Sequence, residues 1–165
     1  MTNGVKRVAV LTVSDGVANG VREDLSGKVA AAEIIKLGFS VAEQQVVSDE
    51  RSLIAEVIRE WVIQGTVDLI VSTGGTGLGP RDVTPEAIRE LLDCEIPGYG
   101  ELLRADGLRY TPMAVLSRSF AGTIGKVLVV CLPGNPSAVK DGLKVLSTTL
   151  PHVLDLLAGK TKHED

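Results

Sequence analysis

Apolar and amphipathic segments alternate along this 165-residue chain. Segments rich in apolar residues predict strands, and uninterrupted apolar runs are typical of strands buried on both faces of a sheet. They cover residues 8–13, 39–47, 67–72 and 126–131. The segment 39–47 gives the weakest signal, because Glu43 and two glutamines interrupt it.

Between these strands, apolar residues recur at the spacing of an α-helix. Helices are predicted over residues 24–37, 50–64 and 85–93, in a segment after Pro97-Gly98, and from 136 toward 157. Gly38 and Gly65 follow the first two, at the position where glycine commonly ends a helix. Thr84 is predicted to be the N-cap of the third, with Pro85 in its first turn.

The last helix is expected to begin at Asn135 as N-cap, with Pro136 following it. Pro151 should kink or break that helix. Residues 14–23 predict a polar loop. Residues 113–124 are ambiguous, and short β segments are expected there around AVLSR and SFAGT.

Strands that alternate with helices predict a three-layer α/β/α fold with a mostly parallel sheet and helices on both of its faces. We expect one domain over residues 1–165, with a flexible tail at about 160–165. In such a sheet a ligand lies beyond the carboxyl ends of the strands. The segments that follow the predicted strands are 14–23, 48–49, 73–82 and 133–136.

Residues 73–87, TGGTGLGPRDVTPEA, are the most informative segment of the chain. Glycines allow a backbone to turn with positive φ and to approach a ligand closely. Exposed N–H groups in such a loop, next to a helix N-terminus, bind anions. The segment matches neither a Walker A loop nor the GxGxxG fingerprint. A tight strand-to-helix connection without function is the alternative interpretation.

Two aspartates accompany this loop. Asp82 lies beside the predicted anion site, where a carboxylate would need a cation such as Mg²⁺. It could instead pair with Arg81 on the surface or act as an auxiliary helix cap. Asp49 follows the second strand, and it could join the same cation or simply cap the next helix. Ser14-Asp15 could likewise be only an Asx turn, and Arg81 and Ser117-Arg118 are candidate anion donors.

Composition narrows the classes of function. The net charge of −4 and the aromatic content of 3% argue against nucleic-acid binding. No apolar segment approaches the length of a membrane span or of a secretory leader, so we expect no membrane association. Cys94 and Cys131 have no CxxC partner and are both expected to be packing residues in a reducing compartment, the cytoplasm. His152 and His163 lack ligand-spaced partners, so zinc chemistry is not expected.

Six motifs together resemble the molybdopterin adenylyltransferases, the Mog/MoaB-type proteins of molybdenum cofactor synthesis that include the G domain of gephyrin and its plant counterpart. The motifs are TVSD (12–15), DLSG (24–27), VVSDE (46–50), the segment 73–87, LSRS (116–119) and LPGNPSAV (132–139). They cover nearly the whole chain in order. The long central motif is highly specific, whereas TVSD alone would be weak.

The resemblance implies a reaction: the terminal phosphate of molybdopterin attacks the α-phosphorus of Mg-ATP, giving adenylylated molybdopterin and pyrophosphate. It also implies a homotrimer, in some relatives a hexamer, and a molybdenum-inserting partner that takes the product. Carried over by motif, Asp49 and Asp82 are the catalytic and magnesium-binding residues. The substrate-binding positions implied are Ser14, Asp15, Thr73, Gly74, Gly75, Thr76, Gly77, Ser117, Gly134 and Asn135.

Two other functions stay open at this stage. A protein of the same family could bind the pterin with little or no adenylylation, as MoaB-like relatives are thought to do. A generic nucleotide-binding α/β protein could act on another phosphorylated metabolite. The sequence also leaves open whether the pathway uses molybdenum or tungsten.

Overall fold

The computed structural model describes residues 4–160, and the strands within that range form one sheet. The strands are β1 (Arg7–Val13), β2 (Ser40–Val47), β3 (Leu69–Thr73), β4 (Cys94–Glu95), β5 (Phe120–Ile124) and β6 (Val127–Leu132). Their order across the sheet is β2-β1-β3-β6-β5-β4. The first four in that order run parallel, and β5 is antiparallel to both of its neighbours. The predicted fold class, with a mostly parallel sheet, is confirmed.

Helices cover both faces of this sheet. They are α1 (Asp15–Ala18), α2 (Leu25–Lys36), α3 (Arg51–Gln64), α4 (Thr84–Arg89), α5 (Pro97–Gly107), α6 (Pro136–Leu146) and α7 (Leu150–Leu157), with a 3₁₀ turn at Pro112–Leu116. Alternate residues of the central strands point to opposite faces. Val8 and Val10 of β1 join the cluster packed under α2, α6 and α7, whereas Ala9 and Leu11 join the cluster packed under α3 and α4.

Burial explains why the apolar patterns predicted these elements well. The residues of β3 and β6 are all buried, as expected for strands covered on both faces. Strand β2 lies at the edge of the sheet, and the solvent-exposed side chains in its middle explain its weaker signal. Gly38 and Gly65 both adopt positive φ at helix ends, at +84° and +63°.

Several local predictions are wrong. The loop expected over 14–23 contains α1, which the Ser14 side chain caps by accepting a hydrogen bond from the Val17 N–H at 3.3 Å. Thr84 is the first residue of α4 rather than its N-cap, and the N-cap is Val83. That helix ends at Arg89 rather than at the predicted residue 93, and residues 94–95 then form the short edge strand β4.

The ambiguous region 113–124 divides into two structures. The β segment expected around AVLSR is wrong, since Pro112–Leu116 is a 3₁₀ turn, but the β segment expected around SFAGT is confirmed as β5. The last predicted helix is interrupted before Pro151 and continues as α7. Residues 161–165, which include most of the expected tail and His163, lie outside the described residues.

Candidate functional site

The carboxyl ends of β2, β1, β3 and β6 meet at one edge of the sheet. The Ser14 N–H donates to the Val47 carbonyl at 2.9 Å, which joins the ends of β1 and β2. The Gly74 N–H donates to the Leu132 carbonyl at 3.1 Å, which joins the ends of β3 and β6. The loops that carry the predicted site residues therefore start side by side.

The first glycines of the TGGTG loop have conformations that exclude a side chain. Gly74 has φ of +99° and Gly75 has φ of +66°, both in the left-handed region that favours glycine. A Cβ on Gly74 would overlap the Val13 carbonyl, and a Cβ on Gly75 would overlap Thr84 Oγ1. The same Cβ on Gly75 would lie 3.2 Å from Asp49 Oδ1, so this glycine lets the loop pass close to Asp49.

Asp15 and Asp49 link the ends of β1 and β2 reciprocally. The Asp15 N–H donates to Asp49 Oδ2 at 2.7 Å, and the Asp49 N–H donates to Asp15 Oδ1 at 3.0 Å. Arg81 reaches across from the glycine-rich loop and donates to both carboxylate oxygens of Asp15, at 2.9 and 3.0 Å. These bonds lower the pKa of Asp15 below its ordinary value. Arg81 is thus occupied by Asp15 rather than by Asp82.

Asp49 is in a different electrostatic state from Asp15. Burial raises the pKa of the Asp49 carboxyl above its ordinary value; the nearby carboxylates of Asp15 and Asp82 add to the increase, and the Asp15 N–H opposes it. Asp49 does not cap α3, because that helix has no side-chain cap hydrogen bond. The capping alternative for Asp49 is therefore wrong.

Asp82 closes the glycine-rich loop on itself. Its Oδ2 accepts the Gly79 N–H at 2.8 Å, and its N–H donates to the Gly79 carbonyl at 3.0 Å. A Cβ on Gly77 would lie 2.8 Å from Asp82 Oδ2. Within the described range, neither Asp49 nor Asp82 forms an ion pair with a basic side chain, so the alternative of an Arg81–Asp82 surface pair is wrong.

Two cavities open at this edge of the sheet. The smaller, of about 420 Å³, lies over the ends of β1 and β2, and Ser14, Arg22, Ser26, Asp49 and Gly74 line it. The larger, of about 680 Å³, lies between the glycine-rich loop, α5, the 3₁₀ turn and the start of α6. Its walls are rich in apolar side chains, among them Leu103, Tyr110, Met113, Ala114 and Leu116.

The two cavities share part of their wall. Gly75, Asp82 and Gly134 line both of them. Asp82 thus stands where a group bound in one cavity would meet a group bound in the other. The two aspartates predicted to act together do converge at one rim of the sheet, since Asp49 lines the smaller cavity and faces the shared wall.

The other predicted residues divide by location. Ser14 and Gly74 line the smaller cavity, and Thr76, Gly77, Ser117 and Asn135 line the larger one. Thr73 and Asp15 are not among the lining residues. Thr73 is fully buried and donates its hydroxyl to the Pro133 carbonyl at 2.8 Å, and Asp15 is engaged by Arg81.

Sequence reasoning missed most of the walls of these cavities. Arg22 lies in the smaller cavity, and it is the basic residue of that lining. The signal for Arg22 was present, since Arg22 belongs to the segment 14–23, which follows β1. Asp106 and Asp141 line the larger cavity from α5 and α6, and no local pattern marks them.

The two cysteines have different surroundings. Cys131 is completely buried, and burial raises the pKa of its thiol to about 12, so it is a packing residue as predicted. Cys94 is exposed in the edge strand β4, and the prediction that it packs in the core is wrong. Within residues 4–160 no helix has the length and apolar character needed to cross a membrane.

Comparison with known proteins decides the family. The sequence pattern of the family described as "probable molybdopterin binding domain" matches residues 9–152. The chain belongs to the molybdopterin-binding domain family. The family resemblance predicted from the sequence motifs is confirmed.

Similarity to other molybdopterin-binding domain proteins extends along almost the full chain. The molybdopterin adenylyltransferase of Helicobacter pylori is 38% identical over 154 residues, which are 92% of this chain and 88% of that protein. The structure of the molybdopterin biosynthesis enzyme MoaB from Thermus thermophilus is 46% identical, with a TM-score of 0.89 over 94% of this chain and 98% of that one. The tungsten cofactor synthesizing protein MoaB from Pyrococcus furiosus is 34% identical, with a TM-score of 0.86 over 94% and 99% of the two chains.

Proposed function

We propose that this protein transfers the adenylyl group of ATP to molybdopterin in the synthesis of the molybdenum cofactor. The terminal phosphate of molybdopterin attacks the α-phosphorus of ATP, the bond from that phosphorus to the β-phosphate bridging oxygen breaks, and pyrophosphate leaves. The observation that supports this most is the wall shared by the two cavities, with Asp82 in it and Asp49 facing it. A relative at 38% identity is named for the same activity.

The reaction asks mainly for positioning and charge stabilisation. The attacking phosphate is already ionised, so no strong base is needed. The larger cavity has the volume and apolar walls suited to a ring-bearing substrate. The smaller cavity, with Arg22 and the N–H groups of the glycine-rich loop near it, suits a charged phosphate chain. Reactive phosphates from the two cavities would meet at Asp82.

The carboxylates at the shared wall fit Mg²⁺. Within residues 4–160 no group of three or more acidic, histidine or cysteine side chains converges as a complete metal site. Mg²⁺ does not need one, because it commonly binds one or two carboxylates together with substrate phosphates and water. Asp49 Oδ1 and Asp82 Oδ1 accept no hydrogen bond within that part of the chain, and both are therefore available. When bound, the ion would neutralise phosphate charge and orient the two substrates.

We also propose that the protein acts in the cytoplasm as a homotrimer, or as a hexamer, and passes its product to a molybdenum-inserting partner. Both cysteines are free, which fits a reducing compartment. Exposed apolar side chains such as Ile63 and Ile35 could support an interface between subunits. Light scattering after gel filtration would measure the mass of the assembly.

The decisive experiment is an assay with purified protein, molybdopterin, ATP and MgCl₂. We expect stoichiometric pyrophosphate release and a product whose mass equals adenylylated molybdopterin, both abolished by EDTA. Omission of molybdopterin is the control for plain ATP hydrolysis. Pyrophosphate release without that product would contradict the proposal.

A pterin-binding protein with little adenylylation is the second candidate, because a structure at 46% identity is named MoaB. It predicts saturable molybdopterin binding by calorimetry with no pyrophosphate release. A third outcome, stabilisation by nucleotides alone in a thermal-shift screen, would favour a different phosphorylated substrate. A ligand at a hundred times its Kd adds about 2.7 kcal/mol of stability, which such a screen detects.

A further inference from the structure

Arg118 was a candidate anion donor, but its guanidinium is used inside the protein. Nε donates to the Gly77 carbonyl at 2.9 Å, and Nη2 donates to the Asp82 carbonyl at 2.7 Å. Nη1 pairs with the Glu86 carboxylate. The backbone N–H of Arg118 adds a bond to the Thr76 carbonyl at 3.2 Å. The side chain is only about a quarter exposed, so its bonds are partly shielded from water.

The two carbonyls that Arg118 binds are the ends of one segment, residues 77–82. Inside this segment, the backbone makes local hydrogen bonds between Gly79 and Asp82, and the Arg81 side chain donates to Asp15. The residues between, from Leu78 to Arg81, are exposed to solvent. Arg118 therefore bonds the main chain at both ends of an exposed loop to the body of the protein, whereas Arg81 attaches its middle through a side chain. The second end is the main chain of Asp82.

The chain on either side of Arg118 forms part of the wall of the larger cavity. Its neighbours Ser117 and Ser119 both line that cavity, and their hydroxyls are 2.9 Å apart in a hydrogen bond. Arg104 of α5 fixes the same segment by donating to the Ser117 and Ser119 carbonyls at 3.2 and 2.9 Å. Hydrogen bonds from Arg104 and Arg118, joined by the main chain of residues 117–119, thus connect α5 through the cavity wall to Asp82.

We propose that Arg118 is a positioning residue, which holds the Asp82 carboxylate at the wall between the cavities and couples that position to the wall of the larger cavity. The inference rests on the proposed adenylyl transfer. Misplacing a reacting group by about 1 Å can cost about a hundredfold in rate, so loss of this clamp should lower kcat more than it raises KM.

A lysine at this position separates the clamp from a simple ion pair with Glu86. Arginine presents a planar fork of donors, whereas lysine is a single point charge on a flexible stem. Lysine can replace the pairing with Glu86, but it cannot bind two carbonyls and that carboxylate together. If only the ion pair mattered, Arg118→Lys would behave as the wild type.

Steady-state pyrophosphate release tests the inference on wild type, Arg118→Ala and Arg118→Lys, with both substrates varied. Arg51→Ala is the matched control, since Arg51 pairs with Glu90 and lines neither cavity. We expect Arg118→Ala to lose about a hundredfold in kcat with KM changed less than about threefold. Arg118→Lys should lose most of that factor, added guanidinium should partly restore Arg118→Ala, and Arg51→Ala should match the wild type.

Hydrogen–deuterium exchange gives a readout that does not need turnover. Amides of residues 77–82 should exchange faster in Arg118→Ala and Arg118→Lys, while those of α3 keep their protection. Wild-type kcat in either variant, or unchanged exchange in the loop of both, would overturn the inference. If wild-type protein makes no adenylylated product, the proposed function fails, and the exchange experiment still decides whether Arg118 holds the loop. If Arg118→Ala does not fold, Arg118→Lys supplies both measurements.

Discussion

The two cavities that meet at Asp82 are built in different ways. The smaller one is made from strand ends and the residues that follow them directly, such as Ser14 after β1 and Asp49 after β2. The larger one is assembled from elements far apart in the chain, including α5, the 3₁₀ turn and α6. Polar and charged residues dominate the lining of the first, whereas the second has the larger apolar surface, with Asp106 and Asp141 also in its wall.

This difference indicates a division of labour. Substitutions in the shared wall should reduce the rate of product formation whichever of the two substrates is saturating. Substitutions in the smaller cavity should weaken the binding of phosphate charge. Substitutions in the larger cavity should change the affinity for only one of the two substrates. Four variants test the division, in decreasing order of expected effect.

Asp82→Asn should have the largest effect. The amide keeps an oxygen that can accept the Gly79 N–H, so the loop should keep its shape while the charge at the shared wall is lost. Removal of such preorganised electrostatic stabilisation costs about 100- to 1,000-fold in kcat. Rates of product formation at saturating ATP and molybdopterin measure it, with thermal unfolding as the control for folding. A rate near that of the wild type would remove Asp82 from the reaction.

Asp49→Asn should lower kcat by about a hundredfold and also stabilise the protein at neutral pH. The folded-state pKa of Asp49 is raised above its ordinary value of 3.8, so the fold favours the protonated form. The wild type therefore loses stability as pH rises through that raised pKa, whereas the variant does not. The Tm advantage of the variant should be present at pH 7 and vanish below pH 3.8.

Thermal melts of both proteins across this pH range measure the difference. The same pKa predicts that wild-type kcat/KM falls on the acid side at a higher pH than an ordinary aspartate would give. A lower Tm for Asp49→Asn at pH 7, with normal activity, would show that Asp49 is structural only.

Arg22→Ala should raise the KM for ATP about tenfold with little change in Tm. The guanidinium lines the smaller cavity, and one charge-assisted hydrogen bond to a phosphate contributes about 1.5 kcal/mol or more. Lys36→Ala is the matched control, because Lys36 pairs with Glu33 on α2 and neither residue lines a cavity. Equal effects of the two variants would mean that only the general charge of the surface matters.

Met113→Ala should have the smallest effect, a rise of about threefold in the KM for one substrate, as expected for partial loss of apolar contact. Val115→Ala is a close control: it lies in the same 3₁₀ turn, and the two side chains are 61% and 62% exposed, but only Met113 lines the larger cavity. A change in kcat rather than KM for Met113→Ala would contradict the proposal that the two cavities have different roles.

The residues at the strand ends of the smaller cavity were predictable, because their signals are local. An apolar run followed by Ser14, by Asp49 or by Gly74 identifies a strand end, and parallel strands bring their carboxyl ends to one edge. Positive φ at Gly74 and Gly75 and the helix start at Asn135 follow from the conformational preferences of single residues. The approach of the glycine-rich loop to Asp49 needed no more than these rules and the parallel sheet, whereas the position of Asp82 within that loop also depends on its bonds to Arg118 and Gly79.

Only the tertiary structure decided what the other side chains do. Arg118 and Arg81 looked alike as candidate anion donors, yet one binds two loop carbonyls and the other binds Asp15. The role of an arginine depends on which acceptors the fold brings within about 3 Å of it, and those acceptors come from distant parts of the chain. The walls of the larger cavity were unpredictable for the same reason: a sequence pattern records neighbours along the chain, whereas a cavity is made by neighbours in space.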